Sequence, residues 1–133
     1  DEGGHIYRKR SDGRRSAQRL TNQSAVYQQL AWSKTQDRIV AVRGSERNFT
    51  TAPGPYVPFS ADDLVWIPSE GGSVNFIAST DGRRNPHFIK SSDRIYLNHT
   101  ARGLISIRYD GTDEREHVRV TGPTSPGWPC RPV

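Results

Sequence analysis

Cysteine is nearly absent from this sequence. Cys130 is the only one in 133 residues, so no disulfide can close within the chain and cysteine usage assigns no compartment. No apolar run nears the ~20 residues that a membrane-spanning helix needs. No secretory leader is seen and the chain opens on Asp1 rather than Met, so a trimmed chain, a processed chain or a fragment is the expectation, and the missing leader says little about the parent protein. Lysine is scarce: Lys9, Lys34 and Lys90 are the only ones, and arginine supplies most of the net charge of +5. Leu, Ile, Val and Phe together make up just under a fifth of the chain, near the level at which a packed core becomes hard to build. Helical periodicity is lacking as well. What apolar residues there are fall in short alternating runs, broken about every ten residues by Gly, Pro, Ser, Asn or Asp, as strands with one buried face require.

Two of these runs are written alike. "WSKTQDRIV", Trp32–Val40, and "FIKSSDRIY", Phe88–Tyr96, share the order aromatic, x, Lys, x, x, Asp-Arg-Ile, apolar. Asp37-Arg38 and Asp93-Arg94 read as hairpin turns. Each leads into a strand, "IVAVR" at Ile39–Arg43 and "IYLNH" at Ile95–His99. The aromatic residue is placed on the strand entering the turn, where a large ring fills space between layers. Trp66, in "LVWIP", is expected in the core like Trp32.

Upstream of each pair lies strand, acidic-Gly turn, strand. Asp12-Gly13 serves "HIYRKRSDGRR", Glu70-Gly71-Gly72 serves "LVWIPSEGGSVNFIA", and Asp110-Gly111 opens a third copy in "LISIRYDGTDEREHVRVTG". Glycine accepts the positive φ of such turns without steric cost. The unit is therefore four strands in about 40 residues, the size of a propeller blade. The expected fold is all-β, a partial β-propeller of about two and a half four-stranded blades, at 4–48, 63–100 and 103–122. An inserted loop occupies 45–63 and a Pro-rich tail occupies 123–133. A propeller ring closes with about four to eight blades, so further blades are expected as partners.

The run "LVWIPSEGG", with "FIASTDGRRNPHFIKSSDRIYL", "GLISIRYDGTDEREHVRVTGPTSPG" and "IVAVRGS", resembles the TolB-like propeller that precedes a metal-dependent hydrolase barrel in bacterial amidohydrolase-family proteins. The resemblance covers nearly the whole chain. It implies a non-catalytic propeller segment that supports or gates a hydrolase domain elsewhere. The alternative is a stand-alone propeller module for protein–protein interaction.

The chemical motifs are sparse. His5, His87, His99 and His117 stand singly, so the H-x-H pair that opens the family's metal site has no counterpart here. Asp110–His117 is the densest set of ligand types. It lacks the calcium-loop order and reads as a polar hairpin. "EGGSVNF" and "RGSE" lack G-x-S-x-G, and Cys130 has no evident partner base. No catalytic, metal or cofactor-binding residue is assigned, and no cofactor is expected in this chain. Tyr7–Arg15 concentrates basic residues around a turn, as a phosphate backbone would favour. Interleaved acids and the lack of a recognised motif argue against nucleic acid. The candidate interface residues are Pro53, Tyr56 and Phe59 in the inserted loop, and Trp128 in the tail.

Overall fold

Apolar alternation becomes ten strands, with no helix, over the residues that the computed structural model describes, 3–44, 63–90 and 92–119. They are β1 (Tyr7–Arg8), β2 (Gln18–Arg19), β3 (Val26–Ser33), β4 (Arg38–Gly44), β5 (Asp63–Pro68), β6 (Asn75–Ser79), β7 (Arg83–His87), β8 (Ile95–His99), β9 (Gly103–Ile107) and β10 (Arg115–Val118). All pairings between these strands are antiparallel, and an isolated parallel bridge joins Thr21 to Gly72. β1 and β2 form a two-stranded layer, β3-β4-β5-β6 a first meander and β7-β8-β9-β10 a second. No helix among the described residues is long and apolar enough to cross a membrane.

Strands arise beside the expected turns, although β7 ends before Phe88, and they group differently from the sequence units. Each sequence unit begins at the strand before an acidic-Gly turn. Each four-stranded sheet begins two strands later, at β3 or β7. The cause is non-local. β4 pairs with β5 from Arg38↔Pro68 to Arg43↔Asp63, across a long intervening segment. The tight turn at Asp81-Gly82 carries φ of 43° and 84° and joins two different sheets.

The middle sheet is buried on both faces. Val40, Val42, Leu64 and Ile77 meet Ile95, Leu97, Ile105 and Ile107 of the second meander. Ile39, Ala41, Val65 and Ile67 meet Ile6 and Leu20 beside the two-stranded layer. Alternation along β4 and β5 thus sends successive residues into two cores. Each fully buried aliphatic side chain contributes roughly 1.5–3 kcal/mol.

The repeat is written into backbone geometry. Gly13, Gly71 and Gly111 each have positive φ and each donate from N–H to the carbonyl three residues earlier, on Arg10, Pro68 and Arg108. β3 and β7 each carry a bulge, with Gln29 at φ 53° and Asn85 at φ 54°. The bulges meet, since the Asn85 N–H donates to Gln29 Oε1 at 2.7 Å. Arg38 and Arg94 are equivalent as well. Arg38 lies over the Trp66 and Tyr109 rings at 4.2 and 4.5 Å, and Arg94 covers Ser106, which stands where Trp66 stands in the neighbouring sheet.

The two quoted aromatics part company. Trp66 is packed against the core as expected. Phe88 follows the end of β7 rather than lying on it, yet it packs against the core between the meanders. Trp32 lies on β3 but is 49% exposed, contrary to its expected burial. Paired with Ile39, it faces the two-stranded layer, which is too narrow to cover it.

Candidate functional site

Three surface features bring polar or apolar side chains together. The first is the outer face of the second meander. Alternation turns Arg94, Tyr96 and Ser106 away from the core that holds Ile95, Leu97, Ile105 and Ile107. Ser106 Oγ accepts from Arg94 Nε at 2.7 Å and lies 2.7 Å from His117 Nε2. With its lone pairs facing Arg94, the hydroxyl is set to donate to that imidazole nitrogen. Tyr96 packs between His87 and His117, with ring centroids 6.1 and 5.1 Å away. The Ser106–His117 contact has the spacing of a nucleophile and its base. Ser106, however, is completely buried, and a hydroxyl sealed beneath Arg94 is out of reach of an electrophile. The contact ties β9 to β10.

Sequence reasoning named His117 only as a lone histidine closing the polar hairpin, and did not join it to Ser106. The signal was their placement on the two strands of the Asp110-Gly111 hairpin. Arg115 pairs with Ser106, and an irregularity between Glu116 and Val118 brings His117 to the same serine.

The second feature is the carboxylate-rich hairpin, 110–117. Asp113 Oδ2 receives Arg94 at 2.9 Å, Arg115 at 3.0 Å and Arg108 at 3.3 Å. The Arg94 hydrogen bond, reinforced by the Arg115 and Arg94 charges, overcomes partial burial and lowers the Asp113 pKa. Glu114 is held by Arg83 at 3.0 Å and by Arg102. Asp110 accepts from the Thr112 N–H at 3.0 Å, closing the turn. A cleft of about 500 Å³ opens here, between Asp93, Arg94, Arg108, Tyr109, Asp110 and Arg115. Among the described residues no group of three His, Cys, Asp or Glu side chains could hold a metal ion. The Asp113 and Glu114 carboxylates are neutralised by guanidinium groups, an arrangement that binds neighbouring segments together.

The third feature is a groove between the first hairpin and β3. It has a volume of about 320 Å³, and Ile6, Tyr7, Leu20, Leu30, Trp32 and Ile39 line it. Tyr7, Leu30 and Trp32 are each about half exposed or more. Arg8 and Lys34 flank the Trp32 ring at 5.6 and 5.7 Å. Arg8 is steered by Ser69 O at 2.9 Å and Glu70 at 3.3 Å. The basic run Tyr7–Arg15 borders this groove, and within it Asp12 is clasped by Arg10 at 2.8 Å.

Pro53, Tyr56, Phe59, Trp128 and Cys130 lie outside the described residues. Comparison with protein-family models, curated proteins and solved structures gives no match for this chain.

Proposed function

We propose that the chain is a non-catalytic segment of a β-propeller, and that it supports or gates a metal-dependent hydrolase domain of the amidohydrolase type. The observation that carries the propeller reading is the contact between equivalent first strands. Between the two meanders the backbone contacts concentrate on β3 and β7, which share a bulge-to-bulge hydrogen bond. Sheets that converge at their first strands are wedged as blades around an axis are. The hydrolase partner rests on the resemblance of Leu64–Gly72, Phe76–Leu97 and Gly103–Gly127 to the TolB-like propellers described above. The non-catalytic role is supported by the fate of the Asp113 and Glu114 carboxylates between β9 and β10, which Arg94, Arg83 and Arg102 draw into ion pairs.

The test is the solution mass of the protein as isolated from its source, with metal-dependent amide or ester hydrolysis assayed on the same material. The expected result is an assembly several times the 14.9 kDa of this chain, active only with a divalent metal. A monodisperse species of 14.9 kDa that melts cooperatively and hydrolyses nothing overturns the reading. That result would favour a self-standing interaction module, for which the exposed Tyr7, Leu30 and Trp32 would be the recognition surface.

A further inference from the structure

One hairpin is built twice, and only one of the two copies is rich in charge. Gly71 and Gly111 close their turns on the carbonyls of Pro68 and Arg108. Asn75 stands opposite Trp66, and Arg115 stands opposite Ser106. Spacing from these anchors makes Ser73 the counterpart of Asp113. The β5–β6 hairpin therefore sets Pro68, Ser73 and Asn75 where the β9–β10 hairpin sets Arg108, Asp113 and Arg115. The uncharged set closes its turn with the same hydrogen bond, so the turn itself does not require the charges.

The added charges gather at the cleft of about 500 Å³ beside Tyr109, a volume within the range of small-molecule sites. Arg94 is spent on the protein. It donates to Ser106 Oγ at 2.7 Å, to Ser106 O at 3.1 Å and to Asp113 Oδ2 at 2.9 Å. Arg108 and Arg115 are not spent. Their side chains are 60% and 56% exposed, and among the described residues each has one carboxylate partner, Asp113. A guanidinium carries five N–H donors, so both keep donors for the cleft. The carboxylates divide in the same way. Asp113 is engaged by three arginines. Asp110 takes both of its Thr112 hydrogen bonds on Oδ1, which leaves Oδ2. Asp93 is exposed and has no hydrogen bond or ion pair to the described residues.

Arg94, Arg108 and Arg115 thus stand against Asp93, Asp110 and Asp113, with equal numbers of each sign. A simple anion is attracted by one set and repelled by the other, and a simple cation fares no better. A molecule that carries both charges satisfies the two sets together. Its carboxylate takes charge-assisted hydrogen bonds from the guanidinium groups, and its ammonium meets the carboxylates that the protein leaves unpaired.

We propose that this cleft binds a free α-amino acid as its zwitterion, with the carboxylate on Arg108 and Arg115, the ammonium on Asp93 and Asp110, and an apolar side chain along the Tyr109 ring. The proposal goes beyond the propeller reading and does not depend on it.

The experiment titrates the protein with L-phenylalanine and follows the NMR signals of the ligand. Two derivatives each remove one charge: N-acetyl-L-phenylalanine lacks the ammonium, and L-phenylalanine amide lacks the carboxylate. Saturable binding of the free amino acid in the millimolar range is expected, weakening as salt rises. Both derivatives should bind about tenfold more weakly or worse. Asp93→Asn and Arg108→Gln should each weaken binding by a similar factor. Asp93 makes no contact that the fold needs, so that variant keeps the test valid if the arginine variant does not fold. Absence of saturation, equal affinity for either derivative or for inorganic phosphate, or unchanged affinity in either folded variant overturns the proposal. The mass and hydrolysis measurements above contain no amino acid ligand, so a failed titration leaves the propeller reading standing or falling by itself.

Discussion

At the scale of single residues, glycine and arginine do most of the specifying. Gly13 and Gly111 occupy the same turn position, with φ of 70° and 81°. Their surroundings differ. A Cβ on Gly13 would meet nothing within 4 Å, whereas one on Gly111 would collide with the carbonyl oxygen of Ile77 on the neighbouring sheet. Gly13→Ala should therefore cost only the left-handed backbone term, about 1–2 kcal/mol. Gly111→Ala should cost at least about 2 kcal/mol more, because turn and sheet must separate. Urea unfolding of the two variants checks this, and equal losses would contradict the close approach of Gly111 to Ile77.

Glu114 makes a second prediction at this scale. Burial by itself would raise its pKa, but hydrogen bonds from Arg83 and Arg102, with their charges, outweigh burial and hold it below the ordinary 4.5. A carboxyl depressed in the folded state contributes stability that is fully present above the unfolded value. That stability is lost as pH falls through the folded value. Glu114→Gln should thus lower the melting temperature at neutral pH, and its gap from the parent protein should narrow as pH falls below about 4.5. A gap that stays constant into acid would mean that the two arginines do not hold the ionised form.

At the scale of elements, strands were more legible than sheets. β4 and β8 begin at or beside an Asp-Arg pair, and β5 and β9 run into acidic-Gly turns, because alternation and turn chemistry are local. Sheet membership is not local. The β4–β5 pairing spans the segment that reads as an inserted loop, 45–63, and the stretch through Asp81-Gly82 reads as a linker within one blade although β6 and β7 lie in different sheets. The bulge at Gln29 has no sequence cue, since glutamine is not a residue that favours positive φ. Asn85 is, and the bulge opposite it becomes evident only when "QQLAWSKTQDRI" is aligned with "RNPHFIKSSDRI". The same logic explains why the Ser106–His117 contact was missed while the carboxylate hairpin was seen. Composition is visible in a line of text, whereas a contact that depends on the register of β9 and β10 is not. The groove over Trp32 was illegible for another reason. Burial of an aromatic residue depends on what stands across from it, and the two-stranded layer is too narrow to do there what the middle sheet does for Phe88.

At the scale of the whole molecule, the layers stack in one direction, so each is held only by its neighbours, as in repeat proteins. Stability should then be graded along the stack. The middle sheet contributes to both cores, and β4, β5, β8 and β9 carry nearly all of the fully buried aliphatic residues. The first layer has two strands of two residues each. It is attached through Ile6, Leu20 and Thr21, by the hydrogen bond from Gly72 N–H to Leu20 O at 3.0 Å and by the pairing of Gly4 with Ala25. Such a layer can open without disturbing the contact between the two meanders, whose core is built from other residues. Native-state hydrogen exchange should therefore show at least two tiers. The amides of Leu20 and Ala25 should exchange by a local opening that depends little on denaturant. Those of Val42, Leu97 and Ile105 should exchange only by global unfolding, with the full denaturant slope. A single common slope for all of these amides would mean that the first layer unfolds with the rest, and that Ile6 and Leu20 couple it to the middle sheet more strongly than its narrow contact implies.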